Sequence, residues 1–311
     1  MRVVYASLAC LFWLSCSSTL ILANKYIMVD LGFKYPIAVS GLGMAFASLF
    51  AFIYCDILGL APKADVVDAK FFWLKIFPVG ATQALCLSLG NQLYLLLTVA
   101  FIEMSRASLP VCTMLALWMF RVETPTNDVI RAVSITAVGC VVAAYGEVNL
   151  SLVGALFAAA NLSMESLRLV MTQFLLQGVD LPAMQTLKFI APSATLCLAV
   201  SSYIQEYPKM VATGALAIPW AHPAFFCMAA SLGLVVNVLG IIIIKLSSAT
   251  TLKVLAAVRG PIIVLCGVTL FSEHVSMLEF FGYCIALVGF LLYNHAKATQ
   301  AMTSAKAAIK A

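Results

Sequence analysis

Val99-Ala100-Phe101-Ile102-Glu103-Met104-Ser105-Arg106-Ala107-Ser108-Leu109-Pro110 runs on through apolar residues to Phe120. As a helix this stretch is long enough to cross a bilayer core, which takes about 20 mostly apolar residues. It nevertheless holds an acid and a base. A cation at mid-membrane costs about 2.5 to 3.5 kcal/mol on insertion scales, so it needs a partner or a purpose. Glu103, Arg106 and Pro110 share one helical face, because residues three and four apart are neighbours. Two readings follow: a Glu103–Arg106 pair that neutralises itself, or a cation aimed into a cavity with Pro110 loosening the helix. A second stretch, Leu252-Lys253-Val254-Leu255-Ala256-Ala257-Val258-Arg259-Gly260-Pro261, repeats the pattern of arginine followed by proline. Lys253 lies about a turn from the end of this span, where it can snorkel to the headgroups or reach a ligand. Arg259 is deeper and has no acid near it in sequence, so the expectation is a cation completed by an anionic ligand. The planar fork of arginine matches two phosphate oxygens at once.

The rest of the chain agrees with a membrane setting. Its 311 residues are 63% hydrophobic and 10% charged, and a mean hydropathy of +1.05 lies outside the soluble range. A net charge of +5 is too thin and scattered to follow a nucleic-acid backbone. The ten cysteines sit in separate apolar stretches with no CxxC pair, and read as small hydrophobes rather than disulfides or metal ligands. No HExxH, GxSxG or GxxxxGK[ST] motif is present, and His222, His274 and His295 all fall at span ends. An enzyme and an ATP-driven pump are therefore disfavoured, and no cofactor is called for.

Apolar runs place ten spans near 4–26, 35–58, 72–96, 99–120, 128–147, 151–176, 184–205, 221–244, 249–271 and 277–296. Polar turns mark several joins, among them Glu123-Thr124-Pro125-Thr126-Asn127-Asp128 and Gly178-Val179-Asp180-Leu181-Pro182. An even number of spans puts both termini on one side. Arg2, Lys63, Lys70, Arg121, Arg131, Lys245, Lys297, Lys306 and Lys310 fall on that side, against Lys25, Lys34 and Lys209 on the other, so both termini are expected to be cytoplasmic. The first apolar run ends in Asn24-Lys25-Tyr26 rather than in a small-residue cleavage site, and reads as the first span.

An internal echo appears at roughly 145 to 150 residues. Ser88-Leu89-Gly90-Asn91 answers Ser231-Leu232-Gly233 with Asn237, Arg106 and Pro110 answer Arg259 and Pro261, and Val138-Gly139 answers Val288-Gly289. Five spans per repeat is odd, so the halves have opposite orientation, as in secondary transporters with a site near mid-membrane. The expected fold is an all-α membrane protein of ten transmembrane helices, built as two inverted five-helix repeats, 1–149 and 150–297, with a cytoplasmic tail at 298–311. Besides Arg106, Arg259, Lys253 and Glu103, the candidate substrate contacts are Asn91, Lys188, Asn237 and Lys25, for which interhelical bonding is the competing role. Glu165 and Arg168, three residues apart, read as a structural ion pair. No metal site is expected.

Several stretches carry a resemblance: Pro78-Val79-Gly80-Ala81 with Ser88-Leu89-Gly90-Asn91, Val99 to Ala107 with Pro110, Ala143-Ala144-Tyr145-Gly146-Glu147, Glu165-Ser166-Leu167-Arg168-Leu169-Val170 and Phe281-Gly282-Tyr283. From Asn24-Lys25-Tyr26-Ile27 to Tyr293-Asn294-His295-Ala296-Lys297 the chain resembles the sugar-phosphate and nucleotide-sugar translocators, the triose-phosphate transporter family of the drug/metabolite transporter superfamily. The nearest group is the plant-type one that lacks a transit peptide, some members of which carry UDP-sugars in the Golgi. The resemblance implies that phosphate binds a lysine in the fourth span and a lysine, or a lysine and arginine, in the ninth; by motif these fall on Arg106 and Arg259. Both are arginines here, Gly260 stands where plastid translocators have a second cation, Lys253 replaces a usually uncharged residue, and Glu103 takes a position held by His or Gln.

The implied function is a secondary-active antiporter of a phosphorylated organic anion, foremost a nucleotide sugar against nucleoside monophosphate. Arg106 and Arg259 would clamp the phosphate, and two cations facing each other in an empty site would hinder the unloaded carrier from crossing. The alternatives are a triose phosphate or phosphoenolpyruvate/phosphate exchanger of a plastid-type envelope, and a proton-coupled efflux carrier using Glu103. The expected partners are the lipid bilayer and a small anionic substrate, with a homodimer left open. The expected setting is a Golgi or endoplasmic reticulum membrane.

Overall fold

The computed structural model describes residues 2–60, 69–119, 125–147, 151–178, 183–246, 249–271 and 274–310. Among them every regular element is helical. The helices are α1 (Arg2–Lys25), α2 (Pro36–Phe52), α3 (Ala69–Phe71), α4 (Phe77–Leu93), α5 (Val99–Ser105), α6 (Leu109–Met119), α7 (Asn127–Gly146), α8 (Leu152–Gly178), α9 (Ala183–Gln205), α10 (Tyr207–Thr213), α11 (Ala217–Ala221), α12 (Pro223–Leu246), α13 (Ala249–Phe271) and α14 (Met277–Lys310). Five-residue π-helical turns extend α1 over Tyr26–Asp30 and α2 over Ile53–Ile57, and a third, Phe72–Ile76, joins α3 to α4.

Among the described residues eight helical segments are long and apolar enough to cross a membrane: Leu8–Asp30, Pro36–Ile57, Phe72–Leu93, Asn127–Gly146, Leu152–Thr172, Met184–Gln205, Pro223–Ile243 and Met277–Lys297. The protein is thus an all-helical membrane protein. The other two expected spans are helical as well. Residues 99–119 are divided into α5, a 3-10 turn at Arg106–Ser108 and α6. Residues 249–271 form the continuous 23-residue helix α13, with Pro261 inside it. These two spans carry the deep arginines.

The tail is not a loop, since α14 continues to Lys310. Its run of Ala, Lys, Met and Gln favours helix on intrinsic propensity alone. The connection before α12 is also helical. Gly214, at φ 68°, closes α10 in the left-handed conformation that favours glycine as a helix stop.

The chain packs into two compact units, each drawn from two stretches: Met1–Leu96 with Leu167–Leu255, and Leu97–Ser166 with Ala256–Ala311. In the first unit α2 lies against α4, α9 and α12, and α1 lies along α12. The buried stripe of α2, Ile37, Ser40, Met44, Ala47 and Ala51, recurs every three or four residues, while Leu42, Phe46, Leu49 and Phe50 stay exposed on the outside. Exposed apolar side chains on a spanning helix are what lipid requires. Glu206, buried at the end of α9, accepts hydrogen bonds from the first free N–H groups of α2, Ile37 at 2.9 Å and Ala38 at 2.7 Å. Burial pushes its carboxyl above the ordinary range, and those backbone hydrogen bonds pull it back.

In the second unit the most extensive packing joins α7 to α14. Gly139 and Ala143 face Ala286 and Gly282, Gly146 abuts the backbone of Glu279, and Gly289 abuts Thr136. A Cβ on Gly139 would run into the backbone of Ala286, and one on Gly282 into the backbone of Ala143. Small residues at three- and four-residue spacing let two backbones approach where no water drives association. A capping box starts α14: the Glu279 N–H donates to Ser276 Oγ at 3.1 Å and the Ser276 N–H to Glu279 Oε2 at 3.4 Å. The Ser276 hydroxyl also donates to the last carbonyl of α7, Gly146, at 2.9 Å.

Candidate functional site

The site grows from the break between α5 and α6 in the second unit. Thr98 caps α5 by accepting from the Phe101 N–H at 3.2 Å, and its hydroxyl donates to Glu147 at 2.8 Å, which fixes where the helix begins. Pro110 has no N–H to offer the carbonyl of Arg106, which accepts from Leu109 N–H instead. The turn tightens to 3-10 there. Arg106 therefore leaves the helix at a point where the regular ladder is interrupted, one turn after Glu103.

Four charges then alternate in sign. The Glu103 side chain is 1% exposed, and its Oε1 lies 3.1 Å from Arg106 Nε. From α13, Arg259 Nη2 donates to both oxygens of the same carboxylate, at 3.1 and 3.4 Å. On its other side Arg106 Nη1 donates to Glu165 of α8 at 3.2 and 3.4 Å. The order is Glu165, Arg106, Glu103, Arg259, formally neutral. Burial grades along it, with the side chains of Arg106 and Glu165 at 23% and 16% exposure and that of Arg259 at 6%. Ser166, next to Glu165, donates to Thr113 of α6 at 3.0 Å and holds α8 in register with α6.

Two expectations change. Arg259 does have an acid at its depth: Glu103 supplies it across 156 positions, beyond the reach of three- and four-residue spacing arguments. An empty site is accordingly not a bare pair of cations. Glu165, expected to neutralise Arg168, is placed against Arg106. The Nε of Arg168 is buried with no hydrogen-bond partner among the described residues. Of the two readings for Glu103 and Arg106, the pair forms, and Arg106 also reaches outward to a second acid.

Ala100, Met104, Ala107, Tyr283 and Ala286 form an apolar wall in the same unit. Tyr283 is 4% exposed and its hydroxyl stands where a Cβ on Gly260 would be, so any larger residue after Arg259 would make the tyrosine shift. That hydroxyl has no hydrogen-bond partner among the described residues. Sequence reasoning did not connect Tyr283 with Arg259. The only signal was the presence of Phe281-Gly282-Tyr283 among the stretches that carry the family resemblance.

The remaining candidates lie elsewhere, in the first unit. Asn91 and Asn237 line one cavity of about 80 Å³ together with Asn24, Ser40 and Phe226. Asn91 Nδ2 donates to Ser40 Oγ at 2.7 Å, and Asn237 Nδ2 to the Gly233 carbonyl of its own helix at 2.8 Å, so both bonds do structural work. Lys188 pairs with Asp56 at 2.7 Å and lies 5.5 Å from the centre of the Phe189 ring. Lys25, in the last turn of α1, is buried. The side chain of Lys253 lies outside the described residues. No group of three or more potential metal ligands occurs among the described residues.

Spanning helices that bury arginines paired with carboxylates define an integral membrane protein with a charged, functional interior. Residues 4–294 match the Triose-phosphate Transporter family, and the chain belongs to it. It is a transporter, not an enzyme. Three relatives from Arabidopsis thaliana are each described as a probable sugar phosphate/phosphate translocator. One is 27% identical, covering 95% of this chain and 88% of its own length. Another is 28% identical over 92% and 85%, and a third 29% identical over 94% and 78%. A solved crystal structure is similar with a TM-score of 0.59 at 14% identity, over 93% of this chain and 95% of that one, a likeness of fold alone.

Proposed function

We propose that the protein is a secondary-active antiporter of phosphorylated organic anions, with Arg106 and Arg259 as the phosphate-binding pair. The observation that carries this reading is their convergence on one carboxylate: two guanidinium groups, one from each half of the sequence, are held by Glu103 within hydrogen-bonding range of a single anionic group. A phosphate has the oxygens and charge to take that place. Ten spans in two inverted halves, 1–149 and 150–297, supply alternating access around such a group, and both termini face the cytoplasm. The substrate pair is sugar phosphate against inorganic phosphate, the exchange for which the Arabidopsis relatives are named. Nucleotide sugar against nucleoside monophosphate, in a Golgi or endoplasmic reticulum membrane, is the second reading, favoured by the resemblance to the plant-type group.

Purified protein in liposomes preloaded with phosphate, a sugar phosphate or a nucleoside monophosphate tests the reading. Uptake of a labelled phosphorylated compound is expected to be much faster when the opposite face holds one. Arg106→Ala and Arg259→Ala are each expected to reduce counterflow at least a hundredfold, in line with about 2.7 kcal/mol or more for a lost charge-assisted contact. Full exchange by either variant refutes the assignment. The preloaded compound that drives uptake best separates the two substrate readings.

A further inference from the structure

We infer that Glu103 is a tethered counter-anion: it occupies the arginine pair while no substrate is bound, gives way to the incoming phosphate, and thereby sets how strictly the carrier exchanges. The inference rests on the phosphate-binding role proposed for Arg106 and Arg259, and deepens it.

The argument is one of charge and position. The ladder Glu165, Arg106, Glu103, Arg259 is formally neutral and its inner end is almost wholly buried, with Glu103 and Arg259 side chains at 1% and 6% exposure. A phosphate dianion added to a neutral, low-dielectric set would leave two uncompensated negative charges, which burial penalises heavily. Admission therefore requires one acid to withdraw. Glu103 is the acid placed to do so, because it touches both arginines: Arg106 Nε at 3.1 Å and Arg259 Nη2 at 3.1 Å. Glu165 meets Arg106 on the other side, and that pair is the more exposed end of the ladder, from which an anion can arrive.

The same arrangement changes the empty carrier. With Glu103 between them the two guanidinium groups do not repel across a bare cavity, so the unloaded protein can still reorient. The carrier is then a preferential exchanger with a measurable net flux, and the strictness of exchange is a property of residue 103.

The test uses purified full-length protein in detergent with inorganic phosphate as the probe, its Kd measured by calorimetry, alongside labelled phosphate uptake into phosphate-loaded and unloaded liposomes. Glu103→Gln keeps the shape and removes the charge. It is expected to lower the Kd for phosphate about tenfold, a modest share of what close buried charge pairs are worth, and to raise the ratio of loaded to unloaded uptake. A purely structural carboxylate predicts the opposite, weaker binding and parallel loss in both modes. Glu103→Asp, which keeps the charge on a shorter arm, is the second variant and decides the matter if the glutamine protein does not fold: it is expected to tighten binding by a smaller factor. Phosphate binding unchanged or weakened in the folded variants overturns the inference. Loss of phosphate binding in Arg106→Ala and Arg259→Ala beside an unimproved Glu103→Gln removes the tether alone, whereas arginine variants that bind phosphate like the parent remove the phosphate site as well.

Discussion

Truncating Arg259 leaves the Glu103 carboxylate, 1% exposed, with Arg106 as its one ion-pair partner among the described residues, itself shared with Glu165. An uncompensated buried charge costs about 3 to 5 kcal/mol when one partner of a pair is removed. Arg259→Met should therefore unfold at markedly lower denaturant concentration than the parent. Arg259→Met with Glu103→Gln should recover most of the loss, since the stranded charge is gone. A double-mutant cycle in which the two effects simply add would show that the pair contributes nothing. The cost of burying a cation singled out Arg106 and Arg259 from sequence, because an arginine in an apolar run stands out wherever the chain goes. Their acids were legible only where spacing reaches: Glu103 beside Arg106 was visible, Glu103 beside Arg259 was not, and Glu165 was assigned to its nearer neighbour Arg168. Pairing across helices depends on which faces meet, and an apolar span gives little periodicity to orient it. Tyr283 escaped for the same reason.

The α7–α14 seam depends on the absence of side chains. Since a Cβ on Gly139 meets main-chain atoms of Ala286 and Gly282 rather than a movable side-chain tip, valine there must push the helices apart. Overpacking of this kind costs about 1 to 3 kcal/mol. Gly139→Val should lower the melting temperature of the purified protein by several degrees, while Val138→Leu, at a position 57% exposed on the adjoining lipid-facing side, should leave it unchanged. Equal melting of both variants would mean that the seam is looser than its geometry implies. Eight of the expected spans were readable as helices from run length alone, because a bilayer demands that length whatever the packing. The capping box at Ser276 and Glu279 follows a Ser-x-x-Glu pattern in the sequence but was recognised only from its hydrogen bonds. The 3-10 turn at Arg106–Ser108 and the π-helical ends were not readable in the sequence, since they depend on how the helices pack rather than on residue type. Pro110 was a partial exception: it announced a disturbed helix without specifying that the turn would tighten.

Across the whole chain, the number of crossings decides whether the two halves can be inverted. Eight crossings and ten both place the termini on one side, so terminal orientation does not separate them. The segment between α9 and α12 does. If 99–119 and 249–271 both cross, this segment lies opposite the termini; if neither does, every intervening loop changes side and it lies with them. Lys209, exposed in α10, is one of only three cations assigned to the non-cytoplasmic face, against nine on the other, and that imbalance favours the ten-crossing arrangement. Gly214 is a suitable reporter, being exposed in a turn with left-handed backbone and outside the spanning segments. An epitope inserted there should be hidden from antibody and protease in sealed vesicles whose cytoplasmic face is outward, while a tag after Ala311 is accessible, and detergent should expose both. Detection of the two tags from the same side would return an eight-crossing chain. Inverted five-span halves would then be impossible, and the arginine pair would have to work without the alternating access that two opposed repeats provide.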